Sequence, residues 1–160
     1  MTDLVLDRIR RLLVEADCRF DEMAHRAVST AEEAAIVRGT ALDEGVKSIL
    51  FKADGEFALF ALSAERELSS RALRRELGMR RTRFASRAEL AQLTGLEPGS
   101  VPPFGRPVLP FDLYADPSIF LHEEVVFTAG SRERSIRMRS DDYRRIARPR
   151  VVSFSRAGGD

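Results

Sequence analysis

The chain of 160 residues contains no tryptophan, one cysteine, two histidines and two lysines. A lone Cys18 excludes an internal disulfide and a cysteine-rich metal cluster, and it fits a reducing compartment. With only His25 and His122, and with neither His-Glu-x-x-His nor paired-cysteine spacing, the donor set for zinc is missing, so no metal and no cofactor are expected. Apolar runs stay far short of the roughly 20 residues that cross a bilayer, and Met1-Thr2-Asp3 opens with acidic character. A cytoplasmic monomer without a membrane partner is the expectation. Gly-x-Ser-x-Gly, Walker and dinucleotide-binding loops are also missing, which leaves serine hydrolase, NTPase and Rossmann readings without support.

What is present is arginine, 24 of the 26 basic residues. The net charge of +1 conceals a segregated pattern. Residues 1–45 carry ten acids against six arginines, residues 71–87 seven arginines against Glu76, and residues 132–150 eight arginines against three acids. Planar guanidinium forks suit phosphate, and clustering raises affinity for polyanions. The same runs also read as solvated helix faces. Against this background Lys47 and Lys52 stand out, because a retained lysine points to a need for a compact ammonium. For Lys52 strand-edge solubility is an equal explanation.

The chain alternates helical and extended patterns in one domain spanning residues 1–160, since single domains commonly run to roughly 100–200 residues. Leu6, Ile9, Leu12, Leu13 and Ala16 predict an amphipathic helix over residues 3–17, with Asp3 and Asp7 near its positive end. Thr30 with Glu33 and Ser86 with Glu89 are capping-box signatures, and Ser69 or Ser70 caps a helix that stops at Gly78. Val46 to Phe51 and Phe57 to Leu62 read as strands of a hairpin turned by Asp54-Gly55, at the centre of a sheet. Further strands are predicted over Val108 to Tyr114, Glu124 to Thr128, Ser135 to Met138 and Val151 to Phe154, with Ser140 capping a helix over Tyr143 to Ala147. Cys18, beside Asp17 at the end of the first helix, reads as a packing residue, because acidic surroundings disfavour a thiolate.

The feature with most chemical content is the loop Pro98-Gly99-Ser100-Val101-Pro102-Pro103-Phe104-Gly105. Its prolines fix φ and remove amide donors while its glycines permit close backbone approach, so the loop should hold a rigid shape able to line a pocket. Together with Ser29-Thr30-Ala31-Glu32-Glu33-Ala34-Ala35, Gly45-Val46-Lys47-Ser48-Ile49-Leu50-Phe51, Leu73-Arg74-Arg75-Glu76-Leu77-Gly78 and Val126-Phe127-Thr128-Ala129-Gly130, this loop resembles the YbaK/ProX family. That family includes the editing domain inserted in bacterial prolyl-tRNA synthetases and its free-standing relatives. The resemblance covers roughly residues 22–148, with five blocks in the family's order.

The resemblance implies an α/β fold in which a mixed sheet curls into a barrel-like core with helices packed around it. It implies hydrolysis of the ester joining a wrong amino acid to the terminal adenosine of a tRNA, with aminoacyl-tRNA as substrate and an aminoacyl-tRNA synthetase as a possible partner. Lys47 matches the residue most tied to activity, and Gly99 heads the matching loop, with Ser100, Val101, Pro102 and Pro103, that holds the aminoacyl group. Ser48 takes the position that helps to select the side chain, His25 and Thr30 match positions near the pocket entrance, and alignment through Gly130 places Ser135 where some relatives carry aspartate. Phe104 serves either to seal the loop onto the core or to meet substrate. Arg74, Arg75, Arg80, Arg81 and Arg83 are the candidates for contact with the tRNA backbone. A small side chain such as alanine, serine or threonine is expected, on tRNA-Pro or a related tRNA. Two other classes remain open from the residues alone: a binding module of the same fold that hydrolyses nothing, and a nucleic-acid-binding regulator, which lacks a helix-turn-helix, stacking platform or zinc module.

Overall fold

A computed structural model describes residues 4–158. Asp3, expected in the first helical turn, and Gly159 and Asp160 of the tail lie outside the described residues. The fold is mixed α/β. Five strands form the main sheet in the order β5 (Thr82–Phe84), β2 (Val46–Ala53), β3 (Glu56–Ser63), β6 (Leu113–Ala115) and β9 (Arg150–Val151). A second sheet orders β1 (Phe20–Ala24), β8 (Arg134–Arg139) and β7 (Glu124–Thr128), and β4 (Arg66–Leu68) pairs with β10 (Ser155–Ala157). The helices are α1 (Leu4–Glu15), α2 (Ala31–Arg38), α3 (Ser70–Leu77), α4 (Arg87–Thr94) and α5 (Ser140–Ala147). The two larger sheets meet at a single parallel bridge, Gly45 to Val126, and no closed barrel is found among the described residues.

The Asp54-Gly55 hairpin forms as expected, pairing Val46 with Ser63 through to Ala53 with Glu56. Because successive side chains of a strand point to opposite faces, the unbroken apolar run of β3 feeds two cores. Leu59 and Ala61 join the larger one with Ile9, Leu13, Phe104, Phe127 and Ile136, while Phe60 and Leu62 join a smaller one with Phe51, Leu73 and Phe154. Phe60 is fully buried, stacked on Tyr114 at 5.0 Å and edge-on to Phe154 at 5.3 Å. Burial of such a ring contributes about 2–3 kcal/mol. On α1 the stripe Leu6, Ile9 and Leu13 is buried, and Arg10 clamps Glu22 of β1 through two hydrogen bonds of 2.7 and 2.6 Å.

Local signals hold where caps decide and fail where packing does. Thr30, Ser69 and Ser86 each accept the expected amide hydrogen bond at a helix start. Ser140 does not cap α5: Arg139 precedes the helix, and the Ser140 hydroxyl donates to the carbonyls of His122 and Glu123. The strand predicted over Val108 to Tyr114 shrinks to Leu113–Ala115, because Pro107 and Pro110 supply no amide to a ladder. The expected strand Val151 to Phe154 divides into β9 and β10 around a buried Phe154.

Asp116 fixes that division. It is buried, one carboxylate oxygen accepting from the amides of Phe154 and Ser155, each at 3.0 Å, and the other from Ser118 at 3.0 Å. Burial alone raises its pKa, but the hydrogen bonds from Ser118, Phe154 and Ser155 outweigh that and hold the carboxyl below its usual range. Asp116→Ala is expected to cost about 3 kcal/mol in urea unfolding, since it strands buried amides. A depressed native pKa stabilises fully above the unfolded carboxyl value of about 3.9 and fades as pH falls through the native one. The gap between wild type and Asp116→Ala should therefore narrow in acid.

Candidate active site

Over Val46 to Ile49, β2 pairs with β3 on one edge, while β5 reaches only Phe51 to Ala53 on the other. The uncovered edge opens on a cavity of about 240 Å³, walled by the first turns of α2, by Gly99 and Val101 of the proline loop and by Thr128 at the end of β7. Lys47 and Ser48 line it from β2, Thr30 and Arg38 from the two ends of α2. Two stretches some fifty positions apart thus converge on one cleft.

The loop is held from behind. The Gly99 carbonyl accepts from Thr128 Oγ1 at 2.7 Å, the Gly130 amide donates to the Ser100 carbonyl at 2.9 Å, and buried Tyr143 donates to the Pro103 carbonyl at 2.6 Å. Gly99 has φ +90, a conformation that side-chain-bearing residues rarely adopt. At Gly105 a Cβ would meet the Phe111 carbonyl oxygen at 2.5 Å, so only glycine permits that crossing. Phe104 is buried edge-on against Phe127 and Tyr143, sealing the loop onto the core. The amides of Gly99 and Val101 have no hydrogen-bond partner among the described residues. Both residues line the cavity.

Ser100, Pro102, Pro103 and Gly130 do not line the cavity. Ser100 turns its hydroxyl back to the Glu97 carbonyl, and with Gly130 it borders a separate hollow behind the loop. Pro102 and Pro103 are buried beneath it. His25 and Ser135 meet each other instead: His25 Nε2 lies 2.8 Å from Ser135 Oγ, and Ser135 is fully buried. The expected site residues therefore divide into five at the cavity wall, two beside it and four in the support of the loop.

Electrostatics mark the wall. Lys47 is half-buried, and burial pushes its pKa below the usual lysine range against weaker opposition from Glu67 and Glu32. Its ammonium makes no ion pair among the described residues. Ser48 Oγ is buried with no hydrogen-bond partner among the described residues, a costly state that it shares with Thr40 Oγ1 and Arg132 Nε. Arg38, which sequence reasoning misses, is driven down to about 10 by burial alone. As one arginine among 24, at the polar end of a short helix, it carries no signal in the sequence. Cys18 fits its packing role: burial, then Asp142, pushes its thiol pKa up, away from a reactive thiolate. Among the described residues no three His, Cys, Asp or Glu side chains gather as a cation would require. No helix of the described residues is long and apolar enough to cross a membrane.

Arg74, Arg75, Arg80, Arg81 and Arg83 are all exposed on α3, β5 and the segment between them. Arg83 is engaged by Glu89 through bonds of 2.7 and 2.9 Å, and Arg75 by Glu76 at 3.0 Å. Arg74, Arg80 and Arg81 have no ion pair among the described residues.

Comparison with known proteins agrees with this architecture. Over 155 residues the chain is 36% identical to the multifunctional Ser/Thr-tRNA deacylase ProXp-y of Escherichia coli K12, an alignment that covers 93% of this chain and 92% of that protein. A stretch of 79 residues, 49% of the chain, is 38% identical to 14% of the proline–tRNA ligase of Bacillus licheniformis. The crystal structure of a candidate trans-editing enzyme for prolyl-tRNA synthetase superposes with a TM-score of 0.79 at 25% identity, covering 97% of this chain and 98% of that one. Residues 25–146 match the family model described as the aminoacyl-tRNA editing domain, and the chain belongs to that family, the YbaK/ProX group.

Proposed function

We propose that this protein is a cytoplasmic, trans-editing hydrolase that removes a small amino acid from a mischarged tRNA. The observation that carries the reading is the meeting of Lys47, Ser48 and the unpartnered amides of Gly99 and Val101 at one cavity of about 240 Å³. Such a volume suits a small side chain with part of a ribose. Serine and threonine are favoured over alanine, because the unpartnered Ser48 hydroxyl offers a hydrogen bond to a substrate hydroxyl. The similarity to a Ser/Thr-tRNA deacylase supports the same choice. The tRNA is tRNA-Pro or a related one, in line with the prolyl-tRNA synthetase relatives.

Attack of water on the ester carbonyl places negative charge on its oxygen. Fixed amides and a partly dried ammonium stabilise that charge without reorganising, which is where preorganised sites gain most. His25 is not placed as a free base. Its Nδ1 faces the Arg26 carbonyl at 2.8 Å and so carries the proton, and its Nε2 accepts from Ser135. A neighbouring hydroxyl of the terminal ribose positions the water, so the protein supplies orientation and charge more than proton transfer. Thr30, besides capping α2, edges the entrance.

Lys47→Ala should lower deacylation of seryl- or threonyl-tRNA on the order of 10²-fold, as removal of an oxyanion donor does. Unchanged turnover removes Lys47 from the chemistry, and tRNA binding without turnover by the wild type makes the protein a binding module of the same fold. The exposed arginines are proposed to follow the tRNA backbone. Neutralising Arg74, Arg80 and Arg81 together should reduce the slope of log affinity against log salt by about one for each phosphate no longer engaged. An unchanged slope, measured by filter binding, assigns the backbone-following surface elsewhere.

A further inference from the structure

Arg38 is the charged group at the cavity that the chemistry above leaves unused. One corner of its guanidinium is fixed, Nε donating to Ser135 Oγ at 2.9 Å. Ser135 is in turn anchored by donating to His25 Nε2, so a hydroxyl with no solvent contact spends its proton on the histidine and its lone pairs on the arginine. The terminal nitrogens of Arg38 have no hydrogen bond or ion pair among the described residues. Nη1 lies against Gly45, where a Cβ would stand 3.6 Å away, two residues before Lys47. The charge is thus held in place and largely desolvated, with no carboxylate to offset it.

Two cations without an ion pair at one cavity, Lys47 only weakly offset by Glu67 and Glu32, call for an anion and disfavour any substrate that presents only an ammonium there. In an aminoacyl ester the carboxyl group is esterified and neutral, so the permanent anion of the charged tRNA end is the phosphodiester of its terminal nucleotide. With Nε committed to Ser135, the remaining edge of Arg38 is a planar pair of donors that matches two phosphate oxygens, whereas Lys47 offers a point charge. We infer that Arg38, positioned by Ser135 and His25, binds the 5′-phosphate of the terminal adenosine. This assignment rests on the deacylase reading and leaves Lys47 to the ester carbonyl.

The test compares seryl-adenosine carrying a 5′-phosphate with the same ester carrying a free 5′-hydroxyl. Wild type should favour the phosphorylated ester on the order of 10-fold in kcat/KM, the scale of a charge-assisted contact, and Arg38→Gln should bring that ratio close to one. Arg38→Lys should fall between, because it keeps the charge and loses the fork. A ratio retained in Arg38→Gln but abolished in Lys47→Ala gives the phosphate to Lys47 and overturns the assignment. Calorimetric binding of adenosine 5′-monophosphate against adenosine reads the same interaction without turnover, so it separates a failed anion site from a failed deacylase. Equal affinity of wild type for the nucleotide and the nucleoside overturns the proposal even if Arg38→Gln does not fold.

Discussion

Strand β2 is paired along its whole length by β3 and over only three residues by β5. That shortfall is the constraint from which the site follows. A fully paired β2 would place Val46 to Ile49 in mid-sheet. Here their outer edge faces α2, the proline loop and Thr128 instead, and the bridge from Gly45 to Val126 joins the second sheet just before them. The strand that carries Lys47 is rigid on one side because its neighbour β3 is buried on both faces, so the lysine is presented from a fixed backbone. Edge strands are normally blunted against other chains, and covering this one with a short helix and a proline-rich loop does so while leaving a hollow.

Burying cations without partners costs stability, and the rest of the fold absorbs it. Lys47 and Arg38 share a cavity, each with its pKa lowered chiefly by desolvation. Elsewhere several charges are paired, Arg10 with Glu22, Arg83 with Glu89, Arg106 with Asp112 and Arg145 with Asp142, while the unpaired Arg74, Arg80 and Arg81 are exposed to solvent. The contrast has physical content, because an unpaired half-buried charge persists only where something other than folding keeps it. Together with an unsatisfied Ser48 hydroxyl and two amides without a partner among the described residues, it sets this wall apart from the rest of the fold.

Much of this is legible in the sequence because it rests on local rules. Capping serines and threonine, the Asp54-Gly55 turn and the apolar run of β3 act within a few residues of themselves, and each appears where its chemistry places it. Lys47 is visible because lysine is scarce, and the loop because prolines and glycines are conspicuous. Arg38 is invisible for the converse reason. What distinguishes it is the company of Ser135 and His25, 97 and 13 positions away along the chain, and no local pattern encodes that meeting. Strands β1, β4, β5 and β10 escape a sequence reading as well; each is five residues or fewer and is defined by its pairing partner more than by its own periodicity.

The proline loop shows why a matched motif does not name the residues that touch a ligand. Of its members only Gly99 and Val101 reach the cavity, while Ser100, Pro102 and Pro103 turn inward to Glu97, the core and Tyr143. A rigid wall needs a back as much as a face. Pro102 and Pro103 restrict the backbone on the buried side, so Gly99 and Val101 are held in one arrangement at the cavity. Residues of both kinds belong to one motif for one mechanical reason, and only the folded arrangement tells those that line the cavity from those that hold them still.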